Sequence, residues 1–107
     1  MNAQALKGHL DLLVLAILAD GAKHGYAVIQ SLRSESDEVF DLPEGTVYPV
    51  LHRLQKSGYL SSDWVTVRGR QRRVYRITDS GRGALGEQRE AWERFSGGVA
   101  RVLGGVP

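Results

Sequence analysis

Between Tyr59 and Thr78 the chain abandons the three- and four-residue apolar spacing found on either side of it. Tyr59–Val67 and Arg72–Thr78 are rich in Tyr, Trp, Val, Thr and Ile, which suit strands. Arg68-Gly69-Arg70-Gln71 makes a short connection between them, with Gly69 supplying the permissive backbone position. This predicts a hairpin whose tip bristles with arginine. The rest of the chain reads as helix, so the fold class is mainly α with one β-hairpin.

The helices follow from periodicity. Leu6, Leu10, Leu13, Val14, Ile17 and Leu18 mark one face of a helix over roughly Ala5–Asp20, and Gly21 stands where a C-terminal cap belongs. Leu12 and Leu15 are apolar on its other side, so a second cover is expected, from another subunit in so short a protein. A second helix runs from His24-Gly25 to about Ser34, with Tyr26, Ile29 and Leu32 three apart, followed by the acidic loop Glu35-Ser36-Asp37-Glu38. Pro43 and Glu44 suit the first turn of a third helix. Val47, Val50, Leu51 and Leu54 form its buried stripe, and Gly58 ends it. Pro49 lies near its start, where a missing amide costs least. A last helix starts at about Asp79 with Thr78 as its N-cap. Leu85, Trp92 and Val99 are seven apart, and Gln88, Phe95 and Val102 form the companion series of a packing seam. Gly97-Gly98 is expected to weaken this helix before the seam ends.

With 107 residues and no cysteine, the chain is expected to form one compact unit without disulfides, thiolate zinc sites or a cysteine nucleophile. The apolar run Leu12–Ala19 is about half a membrane span. The first residues lack a basic secretion signal, so a cytoplasmic protein is expected. Charge placement says more than charge total. Residues 45–76 hold seven Arg and Lys (Arg53, Lys56, Arg68, Arg70, Arg72, Arg73, Arg76) against Asp63 alone. Elsewhere seven basic residues face eleven acidic ones. A basic centre between acidic ends concentrates positive potential as a polyanion-binding protein requires, although a solvated charged face would show the same composition.

Three helices followed by a hairpin is the layout of a winged helix-turn-helix, here spanning residues 1–78, with residues 79–107 left as a C-terminal dimerisation helix and tail. A helix fits the major groove and a basic hairpin can lie along phosphates or in the minor groove. Thr46, Tyr48, Pro49 and Arg53 would lie on the outer side of the third helix, and the arginines of the wing would dominate affinity by releasing counterions.

The run Glu44-Gly45-Thr46-Val47-Tyr48-Pro49-Val50-Leu51-His52-Arg53-Leu54, followed by Gly58, resembles the recognition-helix signature of the PadR family of bacterial transcriptional regulators. His24-Gly25-Tyr26 resembles the start of that family's second helix. The stretch Arg68–Thr78 with Gly81 resembles its wing and the entry to its last helix. The likeness covers most of residues 9–95 in order, and the single C-terminal helix resembles the short subfamily. It implies a homodimeric repressor on a pseudo-palindromic operator, with the last helix packed against the first and last helices of a partner. Leu6, Leu10, Leu85, Trp92, Phe95 and Val99 would form that interface.

Each candidate has a plainer reading beside it. Tyr48 is either a core aromatic or a DNA contact, and the resemblance favours DNA. Thr46 supports the helix start or touches DNA, Arg53 is a solvated charge or a contact, and Tyr26 packs or anchors a phosphate. Arg68, Arg70, Arg72 and Arg73 have no local acid in sequence, which favours phosphate contact over a merely solubilising tip. Strand alternation sends Arg72 and Arg73 to opposite faces. Glu90-Ala91-Trp92-Glu93-Arg94-Phe95 resembles the segment of a multidrug-responsive member in which a tryptophan from each subunit lines a ligand pore. Trp92 and Phe95 therefore either bind an effector or only pack the dimer. By the same resemblance Asp11 would select cationic aromatic ligands.

No cofactor is required. An aromatic small molecule and a divalent metal are the two effector classes left open, the latter through His9, His24 or His52 with carboxylates from other elements. His9 and Asp11 are poorly spaced for chelation within one helix. No Ser-His-Asp arrangement, phosphate-cradling glycine loop or paired carboxylates signal an enzyme. The rival readings are a metal-responsive regulator of the same fold and a winged helix that binds protein, the latter expected to lack the arginine-rich tip.

Overall fold

The computed structural model describes residue 6 and residues 8–104. The elements are α1 (Leu10–Ala19), β1 (Lys23–His24), α2 (Gly25–Glu35), α3 (Glu44–Lys56), β2 (Leu60–Val67), β3 (Arg70–Ile77) and α4 (Asp79–Val102). The three strands form an antiparallel sheet in the order β1-β3-β2. Mainly helical with a β wing, this is the expected winged helix-turn-helix.

α1 is the centre of the molecule. It touches α2, α3, α4 and β3, and Val14, Leu15 and Leu18 are fully enclosed. Leu15 therefore has its second cover inside the chain, contrary to the expectation that another subunit supplies it. Val28 and Leu32 of α2, Val47, Leu51 and Leu54 of α3, and Leu60 and Tyr75 of the sheet complete the core. The start of α1 also differs from the periodicity. Residues 1–5 and 7, including the expected first residue Ala5, lie outside the described residues, but Gly8 and His9 form a turn and the regular helix begins at Leu10. Glycine is a poor helix former, and Gly8 stands two residues before that start. At the other end Gly21 takes the positive φ of 149° expected of a residue just past a helix.

The wing is tighter than the sequence suggests. Val67 pairs directly with Arg70, so the connection is only Arg68-Gly69, and their φ angles of 51° and 78° are both positive. A turn of this kind matches the twist of the flanking strands, which lets the ladder run two residues further than expected. β1 is a two-residue strand, Lys23 opposite Tyr75 and His24 opposite Val74. It is too short to leave a periodic signal.

Thr78 joins the wing to α4. Its hydroxyl accepts from the Gly81 amide at 3.0 Å and donates to the Gly58 carbonyl at 2.6 Å, so one side chain caps α4 and holds the end of α3. Gly81 lies against the Tyr59 backbone, where an added Cβ would come within 2.1 Å of the carbonyl oxygen. α4 then leaves the body, giving a longest dimension of 55 Å. It continues unbroken through Gly97-Gly98 to Val102, so the expected weakening does not occur. Among the described residues no helix is long and apolar enough to cross a membrane.

Candidate nucleic-acid interface

The wing and the start of α2 enclose a cleft of about 400 Å³, and Tyr48 of α3 forms part of its wall. His24 caps α2 by accepting the Ala27 amide at Nδ1, 3.3 Å away. Gly25 follows because Tyr48 occupies the space a side chain would need: an added Cβ would lie 2.5 Å from the Tyr48 ring. Burial, and then the Glu44 carboxylate, push the Tyr48 phenol above its ordinary pKa of 10.0. It therefore stays a protonated hydrogen-bond donor at neutral pH. Tyr26 is 52% exposed at the cleft rim.

Arg72 and Arg73 both border this cleft, contrary to the opposite faces expected from strand alternation, and each is held by a different partner. The Arg72 Nη1 lies 2.9 Å from His24 Nε2, the ring nitrogen opposite the one that faces the Ala27 amide. Arg73 donates to Ser62 Oγ at 2.9 Å, and Ser62 in turn donates to Gln55 Oε1 of α3 at 2.8 Å. The Arg73 guanidinium also lies 4.7 Å from the centre of the Trp64 ring. Arg68 and Arg70 flank the tip and are exposed. Among the described residues none of these four arginines is paired with a carboxylate, whereas Arg76 is paired with Asp63 at 3.1 Å. Thr46 is half-buried and Pro49 exposed in the first half of α3.

Arg53 is exposed on α3 but is tied to α1. Its Nη1 and Nη2 donate to Asp11 Oδ2 and Oδ1 at 2.8 and 2.6 Å, so its charge is directed at α1 and not presented freely. The residues assigned separately to a DNA face and an effector site thus meet.

A scan of protein-family descriptions matches residues 14–87 to the transcriptional regulator PadR-like family. The chain belongs to the PadR-like family of transcriptional regulators. It is 44% identical over 92 residues to the transcriptional regulator Rv3488 of Mycobacterium tuberculosis, covering 86% of this chain and 80% of that one. A transcriptional regulator from Clostridium thermocellum superimposes with a TM-score of 0.86 at 28% identity, covering 94% of this chain and 96% of that one. A PadR-like transcriptional regulator from Bacillus cereus gives 0.84 at 30% identity, covering 97% and 100%. Family membership makes this chain a regulator and not an enzyme, and the single long C-terminal helix is that of a short PadR-like chain.

In this PadR-like chain two of the expected interface positions, Leu10 on α1 and Leu85 at the start of the α4 seam, are already occupied. Leu10 and Leu85 are 4% and 7% exposed within the protomer's own core, so they have little surface to offer a partner. Leu6 is half-buried against the same core. Further along α4 the seam opens, with Trp92 41%, Phe95 61% and Val99 40% exposed. Trp92 meets the His9 ring edge-on at 4.9 Å and Phe95 at 6.0 Å. Asp11, Arg53, Gln88, Trp92 and Phe95 line a cleft of about 540 Å³, so Asp11 and the two aromatics do come together. Among the described residues no three His, Asp or Glu side chains converge as a metal site would need. His9 packs on Trp92, His24 caps α2 and His52 is exposed.

Sequence reasoning missed Trp64, the Gly25–Tyr48 contact and the cap role of His24. A signal for Trp64 existed: a two-residue Arg68-Gly69 turn fixes the register and puts Trp64 opposite Arg73.

Proposed function

We propose that this PadR-like chain is a repressor that binds a pseudo-palindromic operator as a homodimer in the cytoplasm. Residues 1–78 would serve as the DNA-binding unit and residues 79–107 as the dimerisation element. The observation that carries the reading is the set of four arginines without acidic partners, Arg68, Arg70, Arg72 and Arg73, on a wing beside α3. An arginine freed from carboxylates gains most from meeting a phosphate. Thr46, Tyr48 and Pro49 of α3 would approach the major groove, and Tyr26 a flanking phosphate. The exposed Trp92–Phe95–Val99 stripe supports dimerisation, because an apolar helix face of this length is costly to leave in water. The Asp11–Trp92 cleft supports an aromatic effector.

A gel shift with the chain's own upstream region, repeated over a salt series, tests this. Affinity should fall steeply with salt, by a slope of about 0.9 per phosphate neutralised. Arg70→Ala with Arg72→Ala should reduce both affinity and slope. Binding indifferent to salt, or a monomeric wild type by light scattering, would overturn the reading.

A further inference from the structure

Trp64 stands on the core-facing side of the wing, one step past the point where the core ends. Side chains two apart on a strand share a face. Leu60, at the base of β2, is buried, Ser62 is half-buried against Gln55, and Trp64 is 60% exposed. Across the ladder Tyr75 is buried opposite Ser62, and Arg73 is half-buried opposite Trp64. The large ring therefore overhangs the cleft instead of filling the core, with Tyr26 exposed on the facing rim. Arg73 is fixed in two ways, by Ser62 and by the Trp64 ring, and keeps further guanidinium donors free. Two cations and two exposed aromatics around one cleft of about 400 Å³ match alternating phosphate and sugar, the charge for one and the apolar ring face for the other.

We propose that this cleft seats one segment of the DNA sugar–phosphate backbone, with Arg72 and Arg73 holding the phosphate and Trp64 packing on the adjoining deoxyribose. The proposal rests on the DNA-binding reading and adds to it a contact residue that carries no charge. Backbone contact needs no particular sequence, so it can be tested without knowing the operator.

The probe is a random-sequence duplex of about 30 base pairs at roughly 50 mM salt, where backbone contacts dominate. Trp64→Ala should weaken binding about tenfold while leaving the salt slope unchanged, because no phosphate partner is lost. Arg72→Ala should instead lower the slope by about one. Trp64→Phe, which keeps a ring, should recover most of the affinity. The emission that Trp64→Phe removes, taken by difference from wild type with Trp92 kept, should become at least twofold less quenched by acrylamide when duplex is added. Unchanged affinity in Trp64→Ala would overturn the proposal even if wild type binds well. So would a salt slope that falls as in Arg72→Ala, since Trp64 would then act only by positioning Arg73. A wild type that binds no duplex at any salt would bring down the DNA reading itself, and this proposal with it.

Discussion

Arg53 and Asp11 form a two-pronged ion pair, 2.6 and 2.8 Å, that ties α3 to α1 across 42 residues of sequence. Both side chains line the cleft of Trp92. The Asp11 hydrogen bonds hold the Arg53 guanidinium protonated more firmly than usual, outweighing its partial burial. Asp11 is thus neutralised by its neighbour, which weakens its expected role as a selector of cationic ligands.

The same pair predicts how Arg53 variants behave. It is partly exposed, so its contribution is about 0.5–1 kcal/mol despite good geometry. Arg53→Ala should lower the melting temperature by a few degrees. Duplex affinity should fall less than in Arg72→Ala, because the guanidinium is already committed. Arg53→Lys should not restore stability, since an ammonium cannot reproduce the fork. Equal affinity losses in Arg53→Ala and Arg72→Ala would show that Arg53 turns to DNA.

Gly25→Ala should disturb the interface through Tyr48. The added methyl falls 2.5–2.8 Å from the Tyr48 ring and hydroxyl, so the ring must move toward the cleft. Overpacking of this kind costs about 1–3 kcal/mol. Operator affinity should drop with it, and combining Gly25→Ala with Tyr48→Ala should cost less than the two singly, because the clash disappears. Chemical denaturation and gel shifts of the three variants give the cycle; strict additivity would mean that Gly25 acts without Tyr48.

The elements legible in advance were those with repeating side chains. The stripe Val47, Val50, Leu51 and Leu54 placed α3, and the Thr78 cap placed the start of α4 to the residue. What stayed hidden depends on distances between elements. No spacing rule joins Asp11 to Arg53, and β1 exists only because β3 supplies its hydrogen bonds. Leu85 looked like an interface residue because a heptad marks an apolar face without saying which neighbour covers it, and Leu10 was placed there by the resemblance alone. Trp92 and Asp11 were brought together by resemblance, and their shared cleft gives that juxtaposition a geometry.

His24 should make folding stability depend on pH. Burial, and secondly the nearby Arg72, hold its pKa below the ordinary 6.5. Both ring nitrogens face donors, and a neutral imidazole can accept at only one, so a second proton is disfavoured. Between the folded and ordinary values the unfolded chain binds a proton here that the folded chain does not. Stability from this group is therefore complete above the ordinary value and is lost as the pH falls toward the folded one. Melting temperatures from about pH 8 to 5 should decline more in wild type than in His24→Asn, whose amide oxygen can still cap α2. Parallel declines would assign the effect to other groups.

Arg68→Asn should move stability and binding in opposite directions. Arg68 sits at φ 51° in the wing turn, a left-handed conformation that a long side chain adopts at a cost and that Asn-Gly adopts readily. The substitution should stabilise the fold by about 0.5–1 kcal/mol, raising the melting temperature by a few degrees. It also removes one of the four arginines without a carboxylate partner among the described residues, so duplex affinity should fall and the salt slope should drop by up to about one. That the chain keeps an arginine where the backbone prefers asparagine fits a residue retained for its charge. A variant that gains stability with undiminished affinity and slope would show that the wing tip points away from phosphate, leaving Arg70, Arg72 and Arg73 to hold the duplex.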